Sequence, residues 1–270
     1  MSDEIISSPA NPLVRQARAL RLHKTRQETG LFLVEGIFHV GEALQAGWEI
    51  LSLLYAPDLL DSPFAASLLQ RARAQGLRCV ALSRAAFESF AEKENPQGLA
   101  ALARQRSFVL SSASLPDFRF GVALVSPQDP GNVGTIFRSL DAVGGDALFV
   151  LDGGVELYHP SLVRASMGTL FWKPFYTLKA AEFFAWAAQR HVEVIGTSAR
   201  APSDYRALLP GSPPRALLLG SEQKGLSAAQ LALCQQTVSL PMRGRASSLN
   251  LGVAASVLMY ALTGNQKTGE

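Results

Sequence analysis

Apolar and polar positions alternate along this chain in two successive stretches, each mixing strand and helix periods. After Asn11-Pro12, a turn signal, Leu13, Val14, Ala17 and Leu20 recur at helical spacing. Arg15, Arg18, Arg21 and Lys24 follow one another at steps of three, with Arg26 beyond. Steps of three drift slowly around a helix, so the pattern predicts one helix with an apolar and a basic side. LFLVEG then reads as a buried strand, Ile37 to Ala46 as a helix closed by Gly47, ILSLLYA as a strand, Pro63 to Gln75 as a helix ended by Gly76, and LRCVALS as a third strand. KENPQGLAALARQRS, polar and basic at its end, reads as the junction between a first domain, 1–106, and a second, 107–270.

In the second stretch FGVALVS, ALFVLD, Val192 to Thr197, ALLLGS and TVSLP read as strands. Val133 to Val143, a segment from Ser161, and Leu249 to Leu262 read as helices. Such alternation implies an α/β fold whose parallel sheet is covered on both faces.

Composition narrows the class. Of 270 residues, 48% are hydrophobic and 17% charged, which excludes a disordered chain. Lys and Arg exceed Asp and Glu by 25 to 22, a surplus too small to identify a nucleic-acid partner until the charges are located. The basic row therefore has two readings, a solvated helix face or a face for phosphates. No apolar run nears the roughly 18 residues of a membrane span, and MSDEIISSPANP lacks the apolar centre of a secretory signal, so a soluble cytoplasmic protein is expected with no membrane partner. Cys79 and Cys234 stand far apart without a CxxC, and read as buried small apolar residues rather than a disulfide or a metal site.

Three motifs carry candidate chemistry. In SPQDPGNVGTIFRSLDAVGGD a strand feeds a Pro- and Gly-rich turn and then a helix bearing Arg138, a junction suited to a phosphate or ribose. Its glycines do not spell GxGxxG, which disfavours a dinucleotide cradle. Alternatively, Asn132 caps the helix and Arg138 is merely exposed. In RALLLGSEQKGLS an apolar strand ends at Gly220-Ser221-Glu222, at the strand end where open α/β sheets bind ligands; Glu222 could equally favour the N-terminus of a following helix. In VSLPMRGRASSLNLGVAASVLMYAL a basic turn precedes a helix opened by Ser247-Ser248, whose first turns hold Asn250, Gly252 and other small residues. A packed core helix with a Ser cap accounts for part of that pattern, though less well for Ser248 and Asn250.

In order and spacing, these motifs resemble the three signatures of the SpoU/TrmH family of SPOUT methyltransferases, and HPSLVRASMGTLFWKPF between them resembles a further family segment. Roughly Gly121 to Leu262 is covered. Leu251-Gly252 and Gln223 are mild departures from the common pattern. NPLVRQARALR, LFLVEG and NPQGLAA resemble the smaller ribosomal-protein-like α/β domain that binds substrate in such enzymes. The resemblance implies a catalytic domain tied in a deep trefoil knot, S-adenosylmethionine as cofactor, no metal, and a homodimer formed through that domain. It implies 2'-O-methylation of a ribose in structured RNA, ribosomal RNA first and transfer RNA as the alternative; a catalytically silent RNA binder and a base methylase are rival readings. It places Arg138 at the reacting hydroxyl with Asn132, Glu222, Ser248 and Asn250 positioning it. Thr197, Gly220, Leu240, Met242 and Leu249 fall around the cofactor, and the row Arg15, Arg18, Arg21, Lys24 and Arg26 falls on RNA.

Overall fold

The structure, a computed structural model, describes residues 4–111, 113–208 and 214–263. The chain divides into two compact units, one of residues 1–106 and 158–172, the other of 107–157 and 173–270. The segment 158–172, assigned from sequence to the second domain, thus packs within the first unit.

The first helix starts where Asn11 Oδ1 accepts the Leu13 N–H at 2.9 Å and Pro12 needs no amide partner. The basic row does not form one helix: α1 (Pro12–Ala19) stops, and α2 (His23–Thr29) begins after a break at 20–22. Then come β1 (Leu31–Glu35), α3 (Ile37–Gln45), β2 (Ile50–Tyr55), α4 (Pro63–Ala74), β3 (Cys79–Ala81), α5 (Arg84–Glu88) and β4 (Leu99–Arg104). The sheet order is β1-β4-β2-β3, with β4 antiparallel to both neighbours and β2 parallel to β3. The supposed junction therefore contains a central strand. Its sequence, LAALAR, lacks the β-branched and aromatic residues that mark strands, and its polar flanks disguise it.

In the second unit β5 (Phe120–Val125), α6 (Pro130–Ala142) and β6 (Ala147–Leu151) come first. The chain then contributes α7 (Pro160–Ala165) to the first unit before continuing with β7 (Phe175–Leu178), α8 (Ala180–Gln189), β8 (Glu193–Thr197), β9 (Ser203–Asp204), β10 (Arg215–Leu219), α9 (Ala228–Ala232), β11 (Gln236–Ser239) and α10 (Leu251–Thr263). The sequence pattern assigns no element to β7, α8 or β9, whereas α9 is the helix expected after Gly225. Seven strands run parallel in the order β7-β6-β5-β10-β8-β11-β9. Parallel pairing puts every carboxyl end along one edge of the sheet, which is what positions the site. Phe118, Phe149, Tyr176, Phe183 and Trp186 fill one face of this sheet.

Segment 158–172 is anchored in the first unit by aromatic burial. Tyr158 and Phe171 pack with Phe32 and Trp48, whose indole N–H donates to Phe171 O at 2.9 Å. The Tyr158 hydroxyl accepts the Arg106 N–H at 2.7 Å and donates to its carbonyl at 2.5 Å, and burial raises the phenol's pKa. Arg164 pairs with Glu92 on the same unit.

Candidate active site

The site is built where β5 and β10 end side by side and α10 begins. Asp129, rather than Asn132, caps α6: its Oδ1 accepts the Asn132 N–H at 2.7 Å, and Pro130 fills the first helical position. The cap leaves the Asn132 amide group free for other partners. At the end of β10, Glu222 Oε2 accepts the Gln128 N–H at 3.0 Å, while Oε1 accepts the Asp129 N–H at 3.3 Å and Asn132 Nδ2 at 3.0 Å. Asn132 Oδ1 accepts from Asn250 Nδ2 at 2.8 Å, and Asn250 Oδ1 accepts the Gly252 N–H at 2.9 Å and the Val253 N–H at 3.3 Å. Asn250, not a serine, thus satisfies the first turn of α10.

This chain of bonds has one consistent polarity. An ionised carboxylate only accepts, so Asn132 must present its amide nitrogen to Glu222 and its oxygen to Asn250, which in turn leaves the Asn250 oxygen for the helix amides. Desolvation is the largest single influence on Glu222 and pushes its pKa up. The Asn132 amide and the backbone N–H groups of Glu222, Gln128 and Asp129 together outweigh it, so the carboxyl lies below its ordinary value. The charged form that the relay requires is therefore the stable one at neutral pH. Two participants, the Gln128 and Asp129 amides, are not visible in the sequence pattern; the Asp-Pro pair ahead of the helix is the signal for the cap, but backbone donors leave no mark in sequence.

Gly220 makes the turn after β10 possible. A Cβ there would lie 2.0 Å from the Gly225 carbonyl carbon, because the chain folds back directly over it. Gly225 closes that return with φ +64° and donates its N–H to Ser221 O at 2.9 Å. Small residues serve a similar purpose between helices. Gly252 of α10 lies against Thr135 of α6, and Ser256 Oγ lies 2.7 Å from Ser139 Oγ, so the small face of α10 is covered by its own chain.

Arg138 sits on α6 seven residues, two turns, beyond Gly131, which returns it to nearly the same helix side. It is exposed and has no partner among the described residues. Ser248 is also exposed and takes no part in the relay among the described residues. Thr197, Gly220 and Leu240 lie at the ends of β8, β10 and β11, three adjacent strands, with Met242 and Leu249 in the exposed connection from β11 to α10. Thr197 Oγ1 donates to Leu218 O at 3.2 Å. None of these five residues carries a charged group, and Met242 and Leu249 expose 36% and 41% of their surface. Their uncharged, partly apolar character fits a nucleoside such as the adenosine of S-adenosylmethionine.

Most of the basic row of the first unit is tied to backbone carbonyls. Arg26 is 1% exposed, and its Nη1 donates to Leu20 O at 2.6 Å and Arg21 O at 2.8 Å. These are carbonyls just past α1, which an eight-residue helix leaves without partners. Arg18 donates to Ser89 O at 3.0 Å and Ser89 Oγ at 2.7 Å, and Arg21 to Ala91 O. Among the described residues, Arg15 and Lys24 are the members of the row that project into solvent without a bond to backbone, Lys24 being 3.9 Å from Glu28. Arg26 is a buried structural cation, which corrects its assignment to RNA. Cys79 and Cys234 are half-buried rather than buried; both thiols contact backbone carbonyls, and burial pushes Cys234 up to about 11.

Among the described residues no helix is long and apolar enough to cross a membrane. Residues 119–260 match the SpoU rRNA Methylase family, and residues 11–101 match the MRM3-like substrate binding domain. The 23S rRNA (guanosine(2553)-2'-O)-methyltransferase RlmP of Bacillus subtilis (strain 168) is 32% identical over 259 residues, spanning 96% of this chain and 99% of its own. The 23S rRNA (uridine(2479)-2'-O)-methyltransferase of Streptomyces viridochromogenes is 33% identical, over 87% of this chain and 83% of its own. Among solved structures, the AdoMet-bound rRNA methyltransferase from Sinorhizobium meliloti superposes with a TM-score of 0.85 at 31% identity, covering 96% of this chain and 97% of that one. With one family spanning residues 119–260 and relatives matched nearly end to end, the chain belongs to the SpoU rRNA Methylase family.

Proposed function

We propose that this protein transfers a methyl group from S-adenosylmethionine to a ribose 2'-hydroxyl of ribosomal RNA, with 23S rRNA as the substrate. The observation that carries this reading is the relay Glu222 to Asn132 to Asn250, which joins the three motifs by hydrogen bonds of 3.0 and 2.8 Å, with Arg138 on α6 making no bond among the described residues. Relatives named for this reaction on 23S rRNA, matched over most of their length, support it. A protein that only bound RNA would have no need of such an ordered polar network.

When bound, S-adenosylmethionine supplies an already activated methyl group. Gly220, Leu240, Met242 and Leu249 would hold its adenosine through backbone groups and apolar contact, with Thr197 beside them. What remains for the protein is orientation of the ribose and control of the charge that grows on its 2'-oxygen. Arg138 suits that work because its guanidinium is planar, permanently charged and not neutralised by any described carboxylate. A guanidinium does not give up its proton in proteins and so makes a poor proton acceptor, which leaves Arg138 to hold a phosphate oxygen and stabilise the developing oxyanion. Asn132 and Asn250 fix the wall of the site, and Ser248 lies in the segment that meets the ribose.

The trefoil knot belongs to the same reading. Its support is the out-of-sequence order β5-β10-β8-β11 and the close return of the chain over Gly220. Homodimerisation through the catalytic unit is supported by the outward side of α10, where Val253, Val257 and Tyr260 continue from Leu249 as an exposed apolar stripe. It is that stripe that a second copy would cover. The first unit, with its mixed four-stranded sheet, serves as the ribosomal-protein-like RNA-binding domain, and action on ribosomal RNA is what supports reading the enzyme as cytoplasmic.

The test is transfer of labelled methyl from S-adenosylmethionine to 23S rRNA from a strain lacking the gene, followed by nuclease digestion. A labelled 2'-O-methylnucleotide is expected. Label on a base, or on transfer RNA alone, would overturn the assignment.

A further inference from the structure

The carboxyl edge of the sheet carries a second set of arginines that the mechanism above does not use. β9 pairs with β11 through Ser203 and Val238, and Ser239 Oγ donates to Ser203 O at 3.2 Å, so the segments that follow these strands leave the sheet together. Beside them, Ser198 donates its N–H to Val238 O at 3.0 Å as the chain leaves β8. Arg200 follows β8, Arg206 follows β9, and Arg243 and Arg245 follow β11. Asp204 is the sole acid in residues 198–208 and 239–250. Four arginines against one aspartate leave a surplus of three, as large as that of the whole 270-residue chain.

That surplus is not consumed internally. Arg206 forks onto Asp204, with Nε to Oδ1 at 2.9 Å and Nη2 to Oδ2 at 2.5 Å, and these bonds hold the carboxyl at about 2. The charge of Arg243 lowers the same carboxyl further. The guanidiniums of Arg200, Arg243 and Arg245 are exposed and donate to nothing among the described residues. Unlike Arg18, Arg21 and Arg26, they remain available for an anionic partner.

We infer that Arg243 and Arg245, with Arg200 beside them, hold backbone phosphates of the RNA next to the target nucleotide, so that the catalytic unit grips its substrate independently of the first unit. This rests on the ribose-methylation reading and deepens it. The loop lies at the strand ends where the cofactor and the relay meet, and clustered free arginines at the rim of a site for a polyanion raise local substrate concentration and fix its register.

The experiment compares wild type with Arg243→Ala/Arg245→Ala and Arg243→Lys/Arg245→Lys. It measures binding of an unmodified 23S rRNA transcript across salt concentrations, and cofactor affinity by titration calorimetry, which also reports a folded site. Two lost phosphate contacts should flatten the slope of log K against log salt by roughly 1.4 to 1.8 and weaken RNA binding tenfold or more at low salt. The Lys pair should keep most of the slope, and cofactor affinity should stay within about twofold in all three proteins. An unchanged slope in the Ala pair, with methyl transfer intact in wild type, overturns the phosphate grip and leaves the ribose reading standing. A collapse of cofactor affinity in the Ala pair also overturns it, by making the loop a cofactor wall. Failure of wild type to bind or methylate the transcript sinks the ribose reading, and the grip with it.

Discussion

The basic row of the first unit and the arginines along the carboxyl edge of the seven-stranded sheet are the same residue type in similarly dense clusters, yet they do opposite work. In the row, Arg18, Arg21 and Arg26 are tied to backbone carbonyls that short helices and turns leave unsatisfied. On the sheet edge, Arg200, Arg243 and Arg245 stand without partners among the described residues, as does Arg138 on α6. A periodic run of cations therefore does not establish an electrostatic face. What decides is whether the neighbouring backbone has groups that water cannot reach.

The largest effect that would test this contrast is catalytic. Arg138→Ala should lower methyl transfer on the order of a hundredfold or more while leaving cofactor affinity and thermal midpoint nearly unchanged. Arg138→Lys should restore little, because an ammonium cannot replace a planar fork between a phosphate and a hydroxyl. Labelled transfer to unmodified 23S rRNA decides it. Near-normal activity in the Ala variant would return Arg138 to the class of merely exposed helix residues.

The converse holds for Arg26. Arg26→Ala strands the Leu20 and Arg21 carbonyls beside a cavity and should cost about 2–4 kcal/mol of unfolding free energy in urea. At a temperature where the variant stays folded, its salt dependence of RNA binding should match wild type. A loss of salt slope without loss of stability would restore Arg26 to the RNA face and dissolve the contrast.

Much of this is legible without the structure, for reasons that particular residues make plain. FGVALV, ALFVL and RALLL announce buried parallel strands because continuous apolar runs have no other use at that length. The relay residues stand out because amides and a carboxylate beside strand ends are costly to strand there. LAALAR does not announce itself as the central strand of the first unit, since alanine carries little strand preference. Nor can sequence show that residues 158–172 pack within the first unit, where burial of Tyr158 and Phe171 against Phe32 and Trp48 holds them. Likewise, the capping of α6 by Asp129 rather than Asn132 turns on a one-turn choice of hydrogen bond, and that choice is what frees Asn132 for Glu222.

Glu222 gives a smaller, pH-dependent readout of the same edge. Its folded pKa lies below the ordinary 4.5, so ionisation contributes stability that is fully present above that value and is lost as pH falls through the lower folded value. Glu222→Gln lacks this contribution, and its denaturation midpoint should therefore fall less steeply than that of wild type on acidification below about 4.5. At neutral pH the same variant should lose activity by about tenfold, because a neutral amide no longer dictates the orientation of Asn132 and the wall it fixes. Parallel acid profiles in the two proteins would show that the carboxylate is not held by the relay.

The smallest expected effect comes from the two cations of the row that do face solvent. Arg15→Ala/Lys24→Ala touches no carbonyl, and an ion pair as exposed as Lys24 with Glu28 contributes little, so unfolding free energy should move by no more than about 0.5 kcal/mol. If these side chains meet RNA only through long-range attraction, the log–log salt slope should fall by less than about one, below the change expected for the Arg243 and Arg245 pair. Filter binding of the same 23S rRNA transcript to both double variants, in one salt series, ranks the two regions directly. A larger loss of slope from Arg15 and Lys24 would make the first unit the main electrostatic grip and reduce the sheet edge to orienting the ribose.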